Sequence, residues 1–213
     1  HPARTVAQAV TEHLSPVPAI GRVQRGTPAA DVSPDESSTV AIPRPDMQAA
    51  QAPFKLAFIS YADCLVIDAL PPQSRQGVST QHQVLLGKIL QSMGLQGGDP
   101  VELFMLPWPM FASKSLDQGA EQARSTVQHK LSRSLQVTPV RYVLLLGEAA
   151  AQLVLERAES LDALRGLVFS LRADVKALAS ASLTEMMTVP GCKRDVWQDL
   201  QPLLRQLEGR ATG

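Results

Sequence analysis

From Phe54 onward, short apolar runs alternate with longer segments of helical period, and this alternation limits the chain to a small set of folds. Phe54 to Ser60 (FKLAFIS) reads as a buried strand. Ser79 to Met93 then sets Leu85, Leu86, Ile89, Leu90 and Met93 along one helical stripe, which Gly94 ends. Val101 to Met105 is a second strand. A helix from Ser115 follows, with Ser115 and Gln118 as a capping box and Leu116, Ala120, Ala123, Val127, Leu131 and Leu135 on its inner face. Arg141 to Leu146 is the third strand, and Gly147 turns it into a short helix from Glu148 to Leu155. A fourth strand falls between Gly166 and Ala179. The last helix opens near Pro190, buries Val196, Trp197, Leu200, Leu203, Leu204 and Leu207, and is kinked or restarted by Pro202. Strands alternating with helices predict an α/β fold: three layers, α/β/α, around a mostly parallel four-stranded sheet.

Ahead of Phe54 the composition changes. Residues 1 to 53 hold 8 of the 16 prolines and no aromatic residue. Such a segment buries too little apolar surface to offset its ordering entropy, so it reads as a disordered Pro-rich linker, with a weak amphipathic turn from Thr5 to Leu14. The expected organisation is a linker at 1–53, an α/β domain at 54–208 and a flexible tail at 209–213. The first residue is His1 rather than Met, so the chain reads as a processed or truncated product.

Charge and cysteine usage exclude several functions. Lys plus Arg and Asp plus Glu number 20 each, so nothing favours a sequence-independent grip on nucleic-acid phosphates, and little direct DNA binding is expected. The longest apolar runs, such as Val143 to Leu146, fall far short of the roughly 20 residues that cross a bilayer. Cys64 and Cys192 form no CxxC pair, and they read as free thiols of a reducing cytoplasm. His1, His13, His82 and His129 are scattered without ligand spacing, His129 as a surface residue, so no metal and no cofactor is expected. Neither GxGxxG nor GxxxxGK[ST] occurs, and no Ser sits in a GxSxG elbow.

In a parallel sheet the chemistry gathers at the carboxyl ends of the strands. On the four-strand reading those ends supply Ser60, Tyr61, Asp63, Leu106, Trp108, Gly147, Glu148 and Ser180. Asp63 and Glu148 are the one carboxylate pair available for acid–base work, although a Glu at a helix start is also favoured by the helix dipole. The run Leu106-Pro107-Trp108-Pro109-Met110-Phe111 puts large apolar side chains in a proline-stiffened loop. They form either a lid over the sheet edge or an exposed anchor for a partner, with Trp108, Met110 and Phe111 as the binding residues.

The succession LAFISYADC (56–64), VLLGKILQSMGL (84–95), VELFMLPW (101–108), RYVLLLGEAAAQLVL (141–155) and VPGCKRDVWQDLQPLL (189–204) resembles the skeleton of the uracil-DNA glycosylase fold. That resemblance implies an enzyme that extrudes a uracil, reads its edge with an Asn and stabilises the leaving base with a His in the last loop. This chain has no Asn, and its last His is His129, so the catalytic positions are not matched and no catalytic residue is expected. Leu56 to Phe111 and Leu183 to Leu204 resemble the psi subunits of bacterial DNA polymerase III, which keep the skeleton without the chemistry. Membership of that family implies a noncatalytic adaptor of the clamp loader. Its domain binds the chi subunit, and through it single-stranded-DNA-binding protein, while an N-terminal peptide docks on the gamma/tau subunits. No aromatic residue precedes Phe54, so the gamma/tau segment is expected upstream of His1.

Overall fold

The computed structural model describes residues 51–112 and 118–211. The proposed linker up to residue 50, the Thr5 to Leu14 turn, Ser115 and Leu116 lie outside the described residues.

Among the described residues, six strands form one mixed sheet in the order β3-β1-β2-β4-β6-β5. They are β1 (Phe54–Ser60), β2 (Cys64–Leu70), β3 (Glu102–Trp108), β4 (Tyr142–Leu146), β5 (Val168–Arg172) and β6 (Val175–Ser180). The expected four-stranded, mostly parallel sheet is thereby corrected. β2, β4 and β6 are parallel, whereas β1 runs antiparallel to both β2 and β3, and β5 antiparallel to β6. Two of these strands are not legible in the sequence. β2 follows β1 through a tight turn in which the Tyr61 N–H donates to the Cys64 carbonyl at 2.8 Å, with no Gly, Pro or Asn to mark it. The single strand expected between Gly166 and Ala179 is a hairpin, β5 and β6.

The central strands are apolar on both faces, which buries the sheet between two helical layers. Along β1, Ala57 and Ile59 face one core with α1 (Thr80–Ser92), α5 (Leu183–Thr188) and α6 (Cys192–Ala211). Phe54, Leu56 and Phe58 face the other core with α2 (Ala120–Val137), α3 (Glu148–Leu155) and α4 (Leu161–Leu164). The two-residue period of a strand and the 3.6-residue period of a helix account for this division. Leu86 and Leu90 of α1 and Ala123, Val127, Leu131 and Leu135 of α2 are buried on the stripes that the spacing predicts.

Helix ends explain the boundaries. Ser79 caps α1 in a reciprocal box with His82, and Gly94 follows its end at φ +73°. α2 starts at Ala120 behind Gly119, later than the expected Ser115. α6 is one helix from Cys192 through Pro202 to Ala211, so Pro202 neither stops nor restarts it, and residues 209–211, expected as tail, are helical. Pro202 lacks only the N–H that would reach the Gln198 carbonyl, and exposed Gln198 lies on the solvent side. Trp197 also corrects the expectation. It is 44% exposed, because it lies one residue, about 100° around the helix, beyond buried Val196. Among the described residues no helix is long and apolar enough to cross a membrane.

Candidate functional site

The extra strand β2 reverses the sense of β1 and divides the expected rim residues between opposite ends of the sheet. Ser60, Tyr61 and Asp63 sit at the β1–β2 turn, by the amino ends of β4 and β6, since Cys64 pairs with Tyr142 and Tyr142 with Lys176. Gly147, Glu148 and Ser180 sit at the other end. Asp63 and Glu148 therefore do not form a carboxylate pair. Asp63 instead accepts the Gln96 N–H at 3.1 Å and holds the loop before β3.

The residue at the carboxyl rim is Asp68, which shares a rung with Leu146 and Ser180. It is fully buried, and its Oδ1 accepts the Leu183 N–H at 3.0 Å at the start of α5. Oδ2 has no hydrogen-bond partner. Loss of hydration raises the Asp68 pKa from 3.8 to about 7; the Leu183 N–H opposes that rise and nearby Glu185 adds to it. Nothing in the local sequence marks this carboxylate apart from its place inside the apolar run CLVIDAL.

The space above Asp68 is packed. Ala181, Ser182 and Leu183 are buried there, and Gly147 stands at φ +92° where a Cβ would lie 2.7 Å from the Ala69 Cβ and 3.1 Å from the Ser182 Cβ. Ser182 and Glu185 cap α5 reciprocally. His82 joins α1 to α5 through a 3.2 Å contact between Nε2 and Thr184 Oγ1, and partial burial lowers its pKa. Ser180 donates to Asp199 at 2.5 Å, and Arg165 donates through Nε to the same carboxylate at 2.9 Å, tying β6, α6 and the turn before β5 together. These groups lock elements to one another.

The thiols are also enclosed. Cys64 and Cys192 are free and buried, and burial pushes the Cys64 thiol up to about 12, far from a nucleophilic thiolate. Among the described residues no group of three or more His, Cys, Asp or Glu is placed to hold a metal ion. Open grooves flank α1. One of about 730 Å³ is lined by Tyr61, Val84, Lys88 and Asp99, and one of about 570 Å³ by Val84, Leu85, Met187, Lys88 and Lys193.

The loop after β3 separates the three residues expected to bind a partner. Trp108 is 4% exposed and stacks on Phe54, with ring centroids 5.9 Å apart and planes 6° apart. Its Nε1 donates to the Gln118 carbonyl at 3.2 Å. Trp108 is thus the buried last residue of β3, not a loop residue, and the expectation of a surface contact is corrected for it. Met110 and Phe111 are exposed, Phe111 at 57%. The Gln118 side chain clamps Phe111 with two bonds: the Phe111 N–H donates to Oε1 at 3.0 Å, and Nε2 donates to the Phe111 carbonyl at 2.8 Å. The result is an apolar pair presented to solvent on a braced backbone. No protein-family model and no curated protein matches this chain.

Proposed function

We propose that the protein is a noncatalytic adaptor of the psi type, which joins the chi subunit, and through it single-stranded-DNA-binding protein, to the gamma/tau subunits of a bacterial clamp loader in the cytoplasm. The observation that carries this reading is the braced Met110–Phe111 pair. Two large apolar side chains kept in water cost solvation free energy, and bracing by Gln118 lowers the entropy lost when they dock. The sealed rim around Asp68 supports a scaffold whose role is to present surfaces. On this reading the sheet is a variant of the uracil-DNA glycosylase scaffold. The Pro-rich segment spaces the domain from the gamma/tau contact and sets an effective concentration between the two partners.

Size-exclusion chromatography of the full chain with the chi subunit tests the reading. Co-elution is expected for the wild type and its loss for the Met110→Ser/Phe111→Ser double variant, with an unchanged melting temperature. Absence of a wild-type complex, or a complex indifferent to the double variant, removes the proposal. Incubation with uracil-containing single-stranded DNA should produce no abasic sites.

A further inference from the structure

Among the described residues nothing pairs with the outer edge of β3, which ends the sheet, and Leu103 and Phe104 on it are exposed. β3 pairs with β1 in continuous register from Phe54↔Trp108 to Ser60↔Glu102. Pro107 has no N–H, so within that ladder it takes a place whose N–H would point away from β1. The alternation of an antiparallel pair then turns the N–H and C=O groups of Leu103 and Met105 to the open side. An edge of this kind is a template for another strand.

We propose that the strand completing this edge is β3 of a second copy of the chain, antiparallel and centred on Phe104, independently of the adaptor reading. That register is self-complementary. Leu103 of one copy exchanges two hydrogen bonds with Met105 of the other, and the two-fold axis repeats the exchange. One step outward, Pro107 falls opposite Val101. Pro107 has no N–H to give, and the Val101 N–H is already donated to the Ser60 carbonyl at 2.7 Å, so the ladder ends without a stranded donor. Phe104 meets Phe104 across the axis on the α2 face, and exposed Leu103 meets half-buried Met105 on the α1 face, so both exposed apolar groups of the edge are covered.

The charges suit a symmetric pair. Residues 103–108 carry none. Glu102 is neutralised by Lys130 of its own chain at 2.8 Å, and that ammonium lies 4.2 Å from the centre of the Phe104 ring. Each copy therefore brings one acid and one base, already paired, to either side of the axis, and nothing on the strand repels its own image.

Sedimentation equilibrium of the full chain is expected to show a reversible monomer–dimer equilibrium, with amide hydrogen exchange at Leu103 and Met105 slowing as concentration rises. Met105→Pro, which removes one outward N–H, and Leu103→Lys, which places a charge on the edge, are each expected to give a monomer. Met110→Ser/Phe111→Ser is expected to leave the dimer intact. Thermal melts confirm that each variant is folded, and Leu103→Lys serves should Met105→Pro unfold. The proposal is overturned by a monomer at the highest soluble concentration or by a dimer that survives Leu103→Lys. It is equally overturned by protection of those two amides that appears only with the chi subunit or is present in the monomer.

Discussion

The Asp68 carboxylate accepts the backbone N–H of Leu183 at 3.0 Å, across 115 positions of sequence, and so fastens β2 to the first turn of α5. A carboxyl whose pKa is higher in the folded than in the unfolded chain takes up a proton on folding. The stability associated with Asp68 is therefore full at pH values below 3.8 and is lost as pH rises through about 7. Asp68→Asn keeps an oxygen for Leu183 and cannot ionise. Urea unfolding from pH 5 to 8 should show wild-type stability falling relative to the Asn variant, which is the more stable at pH 8. Parallel pH profiles would show that Asp68 ionises as freely in the fold as out of it.

The loop before β3 rests on α1 by backbone contact. A Cβ on Gly97 would lie 2.5 Å from the Gly87 carbonyl oxygen, while one on Gly98 would meet nothing within 4 Å. Gly97→Ala should destabilise the fold by about 1–3 kcal/mol through overpacking. Gly98→Ala should fall within about 0.5 kcal/mol of wild type. Equal midpoints in denaturant for the two variants would contradict the close approach.

The two tryptophans have opposite roles. Trp108→Ala removes the partner of the Phe54 ring and leaves a cavity, a change that costs about 3–5 kcal/mol. Trp197→Ala takes away a side chain that is 44% exposed, and a loss below about 1 kcal/mol is expected. Thermal melts of both variants check the order, and a larger loss at Trp197 would place that side chain back in the core.

Gln118 braces a loop whose exposed residues it does not cover. Gln118→Ala removes both side-chain bonds to Phe111 and should accelerate amide exchange at Phe111. If the adaptor proposal holds, binding of the chi subunit should weaken by roughly fivefold to tenfold, the equivalent of about 1–1.4 kcal/mol. Phe111 exchange as slow as in the wild type would show that the loop is held by other means.

The readable parts of the fold were those recorded locally. FKLAFIS, RYVLLL and the helix Glu148–Leu155 declare themselves through apolar runs and period, and the structure has them at those residues, except that β4 starts one residue later, at Tyr142. The Ser79–His82 cap is not legible in the sequence, because His is an uncommon third residue of a capping box. The turn between β1 and β2 offers Asp63 but no Gly, Pro or Asn, too weak a signal to divide the stretch into two strands. Without β2, Asp63 falls at the carboxyl end of the sheet and nothing points to Asp68. Trp108, Met110 and Phe111 were legible as a group, but only the Phe54 ring and the Gln118 side chain decide which of them faces solvent.

The amino-acid sequence by itself determined the α/β class, the two-sided burial of the central strands and the inward stripes of the helices, because hydrophobic period is a property of neighbouring residues. Tertiary structure decided the number and direction of the strands, and with them which carboxylate is buried at the rim and which described strands end the sheet. Strand pairing joins residues far apart in the chain, and no local pattern records which strand another will meet or in which sense.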